Sequence, residues 1–276
     1  MGARVGAQSE LDVGKIEAQL DAATRARIAR LDLALEIDST NSELLRRSAP
    51  PAGQASVLLA ERQTAGRGRR GRTWLAAPGE VLCLSIGWAF APPLPDLSAL
   101  SLAIGVCCAQ ALQRVGIDGV ALKWPNDLIA AGGKLGGILI ETRTEPGEGL
   151  CVVIGVGINL ALSAATRAAI LAFGTDPPDL KSLAGAQTGV SANLVATRLI
   201  ESILEGTAQF ARAGFGSFVA AWNARDCLRA RPVLVRHANG ETHGVARGID
   251  SVGALLIDTP HGPERFLSGE VSVRGA

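Results

Sequence analysis

The chain has no tyrosine, a single methionine and three histidines. It carries only four lysines, Lys15, Lys123, Lys134 and Lys181, among 27 basic residues. Aromatic residues make up 4%, a poor supply for a protein that grips single strands by base stacking. No apolar run free of charges and turn residues reaches the ~20 residues that a bilayer span needs. The first ten residues lack the apolar stretch of a signal peptide. The five cysteines (Cys83, Cys107, Cys108, Cys151, Cys227) are an odd number without metal-ligand spacing. That pattern argues against a disulfide framework and a zinc site, and suits buried free thiols in a reducing cytoplasm. An excess of either charge is also missing. The 27 basic residues meet 26 acidic ones for a net charge of +1, where a general polyanion binder would be more basic.

What is present is a core. Of the 276 residues, 47% are hydrophobic and 19% charged, enough for one large domain or two of unequal size. Residues 1–10 read as frayed and 11–30 as a helix, followed by a strand over 31–37. Thr40 and Glu43 have capping-box spacing at the start of the next helix. A strand at 57–61 runs into a glycine- and arginine-rich segment. Residues 81–90 alternate, with Leu82, Leu84, Ile86, Trp88 and Phe90 on a bulky face and Val81, Cys83, Ser85, Gly87 and Ala89 on a small one. A helix over 97–115 and strands at 120–124, 137–143 and 150–160 follow, the last two as an antiparallel hairpin. Residues 161–190 read as an irregular, mobile loop. Helices over 191–211 and 215–228 precede short strands from residue 231 onward, a pattern suited to a small barrel.

Four segments carry chemistry. In Gly66-Arg67-Gly68-Arg69-Arg70-Gly71-Arg72-Thr73-Trp74, glycines permit close backbone approach and arginines offer paired donors to phosphate or carboxylate. A solvated charge run and a nucleic-acid tail are the plainer readings. The segment's internal position between strands and its end at Trp74 favour a loop that closes over an anion. In Lys123-Trp124-Pro125-Asn126-Asp127, proline ends a strand and the Asn-Asp pair suits a turn. Gly133-Lys134-Leu135-Gly136-Gly137 sets one lysine among glycines. In Gly155-Val156-Gly157-Ile158-Asn159, the two glycines and the asparagine share one strand face. No helix and third glycine follow, which excludes a dinucleotide fingerprint.

In this order the four segments closely resemble the signature run of the bacterial biotin protein ligases. The resemblance extends to Asp38-Ser39-Thr40-Asn41, Gln63, Arg247–Asp250 and Ser268–Ser272, nearly the whole chain. It implies an α+β fold: a mixed, mainly antiparallel sheet with flanking helices, then a small SH3-like β-barrel. The corresponding divisions are an N-terminal extension (1–30), a catalytic domain (31–229) and the barrel (230–276). It implies biotin activation by ATP with Mg²⁺, giving biotinyl-5′-AMP and pyrophosphate. Transfer to one lysine of a carboxylase's biotin carboxyl carrier domain follows. Joining a carboxylate to a triphosphate makes charge neutralisation and positioning the main tasks.

By the same resemblance Lys134, Arg67 and Arg69 are catalytic. Ser39, Thr40, Asn41, Gln63, Gly66, Arg67, Trp74 and Lys134 bind biotin, with Gly136, Gly137, Gly155 and Gly157 leaving room for its ring. Arg69, Arg70, Arg72, Trp74, Asn126, Lys134 and Asn159 face ATP or the adenylate. Asp127 helps hold the metal or orients the acceptor lysine. Phe173 or Pro178 stands where some members stack an aromatic residue on adenine. Too few residues precede Asp38 for the winged helix of the repressor members, so no DNA-repressor activity is expected. Dimerisation through the catalytic sheet is common in the family, so a homodimer is the expected assembly. A lipoate protein ligase shares the chemistry and general fold and is the competing enzyme reading. A nucleic-acid-binding protein using the arginine loop is the competing non-enzyme reading.

Overall fold

A computed structural model describes residues 11–75, 77–145, 149–172, 176–185, 190–237, 240–267 and 272–275. Two short helices, α1 (Val13–Gln19) and α2 (Ala22–Ala26), lead into strand β1 (Ile28–Ala34), helix α3 (Thr40–Arg46) and strand β2 (Ala55–Ala60). Then come β3 (Val81–Phe90), α4 (Leu100–Arg114), β4 (Ala121–Lys123), β5 (Asp127–Ala130), β6 (Gly133–Glu145) and β7 (Gly149–Asn159). Helices α5 (Ala164–Leu171), α6 (Leu180–Ala184), α7 (Ala192–Ala213) and α8 (Val219–Asn223) precede the final strands. These are β8 (Pro232–His237), β9 (Gly240–Ile249), β10 (Leu255–Thr259), β11 (Gly262–Phe266) and β12 (Ser272–Gly275).

The first seven strands form one sheet in the order β1-β2-β3-β7-β6-β5-β4. Only β1 and β2 run parallel; the other neighbours are antiparallel. The mixed, mainly antiparallel sheet expected from the resemblance is present. The alternation of β3 decides what lies on each side. Leu82, Leu84, Ile86, Trp88 and Phe90 are buried in the main core with α4 and α7. Val81 and Cys83 belong to a separate small cluster on the other face, with Trp74 packed against it. The helices therefore cover one face, and α3 with the arginine loop covers the other.

Several elements differ from the sequence reading. The continuous helix over 11–30 is two helices, because Asp21 caps a new one by accepting from Thr24 N. Residues 11–27, part of the segment read as an extension, are fastened to α7. Leu11, Ile16 and Leu20 are buried, and Asn193 and Glu201 of α7 accept from the backbone N–H of Asp12 and Asp21. At α3 the cap is Ser39, one residue earlier than the capping box implied, and Glu43 turns instead to Arg46 and Arg47. Residues 161–190 contain α5 and α6, started by caps at Ser163 and Asp179. A short strand, β5, follows the turn at Asn126.

The last five strands form an antiparallel sheet in the order β11-β10-β9-β8-β12. Its end strands do not pair among the described residues, so the expected barrel is an open sheet here. It is seated on the preceding part of the chain. Trp124 Nε1 donates to Gly253 O at 3.1 Å, and the Asn223 amide bridges Ile249 N and O. Gly253 has φ +83° and lies against Ala99 and Leu102, where a side chain would collide.

Candidate active site

The site lies on the sheet face that the large helices leave open, and it has a neutral end and a charged end. At the neutral end, capping by Ser39 aims the first turn of α3 at β3, which buries Thr40 and Asn41. Gln63 Oε1 accepts from Thr40 N at 2.8 Å and faces Thr40 Oγ1 at 3.2 Å. Ser85 Oγ lies 2.7 Å from Thr40 Oγ1 and 2.6 Å from Asn41 Oδ1. The Asn41 oxygen can only accept, so the Ser85 proton goes to it. Asn41 Nδ2 donates to Leu139 O at 3.3 Å and Glu141 Oε2 at 2.9 Å, which fixes the orientation of the amide. Beside them Cys83 is sealed in, its thiol pushed up to about 12 by burial, so it is no nucleophile.

The glycines of the sheet serve these side chains. An added Cβ at Gly155 would collide with Asn41 Oδ1. One at Gly157 would stand 2.6 Å from the Trp74 ring, and one at Gly137 would stand 3.3 Å from Lys134 Cε. Gly136 faces the other way, onto Gly157 O and the Leu128 and Ile158 side chains. The bare strip expected to leave room for a bicyclic ring is thus overlaid by Asn41, Trp74 and Lys134.

The arginine segment is a folded hairpin. Arg67 bridges Thr73, Gly68 N donates to Arg72 O at 2.7 Å, and Trp74 N donates to Gly66 O at 2.9 Å. The tip turns through Arg70 (φ 58°) and Gly71 (φ 71°). Gly66 is required, since a Cβ there would meet Trp74 O at 2.6 Å. Trp74 folds back over Gly157, and its indole N–H is buried without a hydrogen-bond partner among the described residues. Arg67 Nη2 donates to Ser42 Oγ at 2.9 Å and pairs with Glu141 Oε1 at 3.0 Å. Arg69 is half-buried, and burial, then the charge of Arg70, lowers its pKa. Its base is strong enough that the guanidinium stays charged. Arg70 and Arg72 are exposed.

Lys134 stands between the two ends. Its Nζ is 2.6 Å from Asp127 Oδ1 and 5.6 Å from the centre of the Trp74 ring. Lys134 and Gly137 are three residues apart, and an unbroken strand would point them to opposite faces. The register with β5 slips between Leu128 and Ile129, leaving Leu135 as an extra residue in β6. That bulge turns Lys134 to the site face and sends Leu135 into the core.

The two asparagines expected to face ATP both contact backbone. Asn159 is buried, and its Nδ2 donates to Lys134 O at 3.3 Å and Pro178 O at 3.0 Å. Asn126 Nδ2 donates to Ile138 O at 2.8 Å, leaving its Oδ1 3.4 Å from Arg69. Both hold backbone in place. Pro178 is buried against Gly133, and Phe173 and residues 268–271 lie outside the described residues. Asp127 was expected to help hold a metal, but its carboxylate is engaged with Lys134. No group of three metal-ligating side chains gathers among the described residues. This donor set does not fit a resident metal.

The structure brings Ser39, Thr40, Asn41, Gln63, Arg67, Trp74 and Lys134 onto one surface. Sequence reading missed Ser85, Ser42 and Glu141 as members of it. A serine inside the otherwise apolar run from Leu82 to Trp88 was the available signal for Ser85.

Residues 34–159 match the biotin/lipoate A/B protein ligase family, and residues 231–274 match the biotin protein ligase C terminal domain. The bifunctional ligase/repressor BirA of Salmonella typhimurium is 36% identical over 267 residues, covering 96% of this chain and 79% of that protein. The biotin–[acetyl-CoA-carboxylase] ligase of Paracoccus denitrificans is 36% identical over 247 residues, covering 86% of this chain and 98% of that one. Among solved structures, biotin protein ligase from Aquifex aeolicus in complex with biotin and ATP aligns with a TM-score of 0.73 at 27% identity. That alignment covers 90% of this chain and 100% of the other.

Proposed function

The chain belongs to the biotin protein ligase family, and on that premise we propose that it joins biotin to ATP and passes the biotinyl group to a carrier protein. It is an ATP-dependent ligase. In the first step a biotin carboxylate oxygen attacks the α-phosphorus, biotinyl-5′-AMP forms and pyrophosphate leaves. In the second, the neutral amine of a lysine on a biotin carboxyl carrier domain attacks the acyl carbon. An amide forms, AMP leaves and the amine gives up a proton.

The observation that carries this reading is the position of Lys134. Its ammonium lies between a neutral hydrogen-bonding end and a loop of four arginines, anchored by Asp127 at 2.6 Å. Ser39, Thr40, Asn41 and Gln63 have the donors and acceptors to read a polar ureido ring, and such a pocket rejects analogues lacking those groups. Arg67 neutralises the carboxylate end, and Arg69, Arg70 and Arg72 the phosphates. A compact ammonium at the junction stabilises charge as it shifts from carboxylate to bridging oxygen. Mg²⁺ enters with ATP as MgATP. All five cysteines are free thiols, in keeping with a cytoplasmic location. No helix of the described residues is long and apolar enough to cross a membrane. Side-by-side joining of two catalytic sheets would give a homodimer, which sedimentation would test.

The function is tested by mixing the chain with biotin, MgATP and a carrier domain. The expected result is biotin-dependent pyrophosphate release and a mass gain on one carrier lysine. Lipoate in place of biotin is the matched control, and preference for lipoate would overturn the reading.

A further inference from the structure

Glu141 stands where electrostatics alone would not put it. A site for a carboxylate and a triphosphate gains nothing from another anion facing its arginines, so this carboxylate needs another task. Its contacts define one. Oε2 accepts from Asn41 Nδ2 at 2.9 Å, and Oε1 and Oε2 lie 3.0 and 3.2 Å from Arg67 Nη2. The same guanidinium nitrogen donates to Ser42 Oγ at 2.9 Å. One carboxylate on β6 therefore ties the first turn of α3 to the first arm of the arginine hairpin. Asn41 has its oxygen on Ser85, so its orientation depends on both Ser85 and Glu141.

We infer that Glu141 is a positioning residue that couples the ring-reading Asn41 to the arginine loop, so that ring recognition and the seating of the loop depend on one another. The inference rests on the biotin-activation reading for its second half only. A carboxylate holds Arg67 against the sheet and Asn41 above Gly155. A ligand that settles on Asn41 finds the loop already tethered, and a loop pulled away loosens Asn41. The charge is needed for Arg67, whereas Asn41 needs only an acceptor. Glutamine therefore separates the two contacts: its carbonyl still accepts from Asn41, and it loses the ion pair.

The test uses the full chain. In the first arm, without ligand, trypsin cleavage after Arg69, Arg70 or Arg72 is timed for wild type, Glu141→Gln and Arg67→Gln. Each single variant should be cut about tenfold faster, the scale of one charge-assisted contact. The double variant should be cut no faster than either, the non-additivity expected of directly paired residues. In the second arm, pyrophosphate release gives kinetic constants. Glu141→Gln should raise the biotin KM about tenfold with the ATP KM and kcat within about twofold, and Glu141→Ala should raise the biotin KM further. Equal cleavage of wild type and Glu141→Gln, or additive effects in the double variant, would overturn the coupling. So would an unchanged biotin KM. Thermal melting of each variant confirms folding, and Glu141→Gln, which keeps the side chain's shape, carries the test if Glu141→Ala does not fold. If wild type releases no pyrophosphate with biotin, the functional reading fails, while the ligand-free cleavage arm still decides whether Glu141 tethers the loop.

Discussion

The two ends of the site are built on opposite plans. At the neutral end, Ser39, Thr40, Asn41 and Ser85 are all buried, and Gln63 beside them is half-buried. Thr40, Asn41, Gln63 and Ser85 form one continuous hydrogen-bond network. At the charged end, Arg70 and Arg72 are exposed, and the Lys134 side chain is 41% exposed. The difference follows from the cost of burial. Neutral donors and acceptors can be sealed into a sheet face if they satisfy one another. Several cations cannot be, because each desolvated charge must be matched. One end is therefore preassembled by folding, and the other keeps its cations at the surface, where anions can reach them. If this contrast is right, damage at the charged end shows in rate and damage at the neutral end shows in binding and stability.

The largest effect belongs to Lys134. Replacing it by alanine removes one preorganised electrostatic partner, which typically costs ~100- to 1,000-fold in rate. The loss should appear in pyrophosphate release before any carrier is added, with melting little changed. Lys134→Arg should also lose most activity, because the bulge at Leu135 places the ammonium close over Gly137, where a planar fork does not superimpose on a compact charge. Adenylate formation at the wild-type rate by Lys134→Ala would move the lysine's role to the transfer step.

Gly157→Ala strikes the junction of the two ends. The new methyl would stand 2.6 Å from the Trp74 ring, so the indole and the Lys134 ammonium near it must move. A displacement of ~1 Å in a reacting group can cost ~100-fold, and overpacking of this kind costs about 1–3 kcal/mol in stability. Rate and melting should fall together. A variant with both unchanged would show that Trp74 is free to leave its seat.

Ser85→Ala tests the preassembled end. It strips the donor from the buried Asn41 oxygen, and a buried group left unsatisfied costs about 1–3 kcal/mol. The biotin KM should rise about tenfold, with the ATP KM unmoved. A drop in kcat with normal biotin binding would erase the proposed division between the ends.

The contrast also explains what could be read in advance. The bulky and small faces of β3 were legible, because strict alternation over residues 81–90 leaves one solution. The arginine segment and Lys134 stood out by composition, whereas Ser39–Asn41 read only as a helix start and were assigned to the site by the resemblance alone. Ser85 was not singled out, because it is a lone polar residue within an apolar strand, and Glu141 was not, because it opens a polar run over 141–145 in which no one residue stands out. Only the pairing of α3, β3 and β6 across 44 and 100 positions of sequence brings them to Asn41. The facing of Lys134 was hidden for a similar reason, since it depends on a register slip against β5. The glycines were recognised as a bare strip, but what overlies them is long-range information. The break at Asp21 and the helices at 164–171 and 180–184 were missed because single caps decide them, and periodicity over so few residues is weak.

The smallest effect concerns Asp38, an exposed brace just outside the neutral end. Its carboxylate takes both terminal nitrogens of Arg46, at 2.8 and 2.9 Å, and accepts from Ser39 N at 2.7 Å. Those contacts, the Arg46 hydrogen bonds above all, lower its pKa from 3.8 to about 2. A depressed carboxylate pKa favours the folded state above the unfolded pKa of 3.8, and that contribution disappears as the pH falls through about 2. Solvent reduces it further, since the Asp38 and Arg46 side chains are 45% and 54% exposed. Asp38→Asn should therefore lower the melting temperature by about 2 °C or less near neutral pH. The gap to wild type should narrow as the pH drops below 4 and close near 2, which parallel melts in matched buffers would follow. The biotin KM should stay within about twofold, because Ser39 keeps its place through the backbone of α3 and Thr40 through Gln63. A tenfold rise in KM would mean that a surface charge pair, rather than the buried network, sets the geometry of the neutral end, and the contrast between the two ends would fail there first.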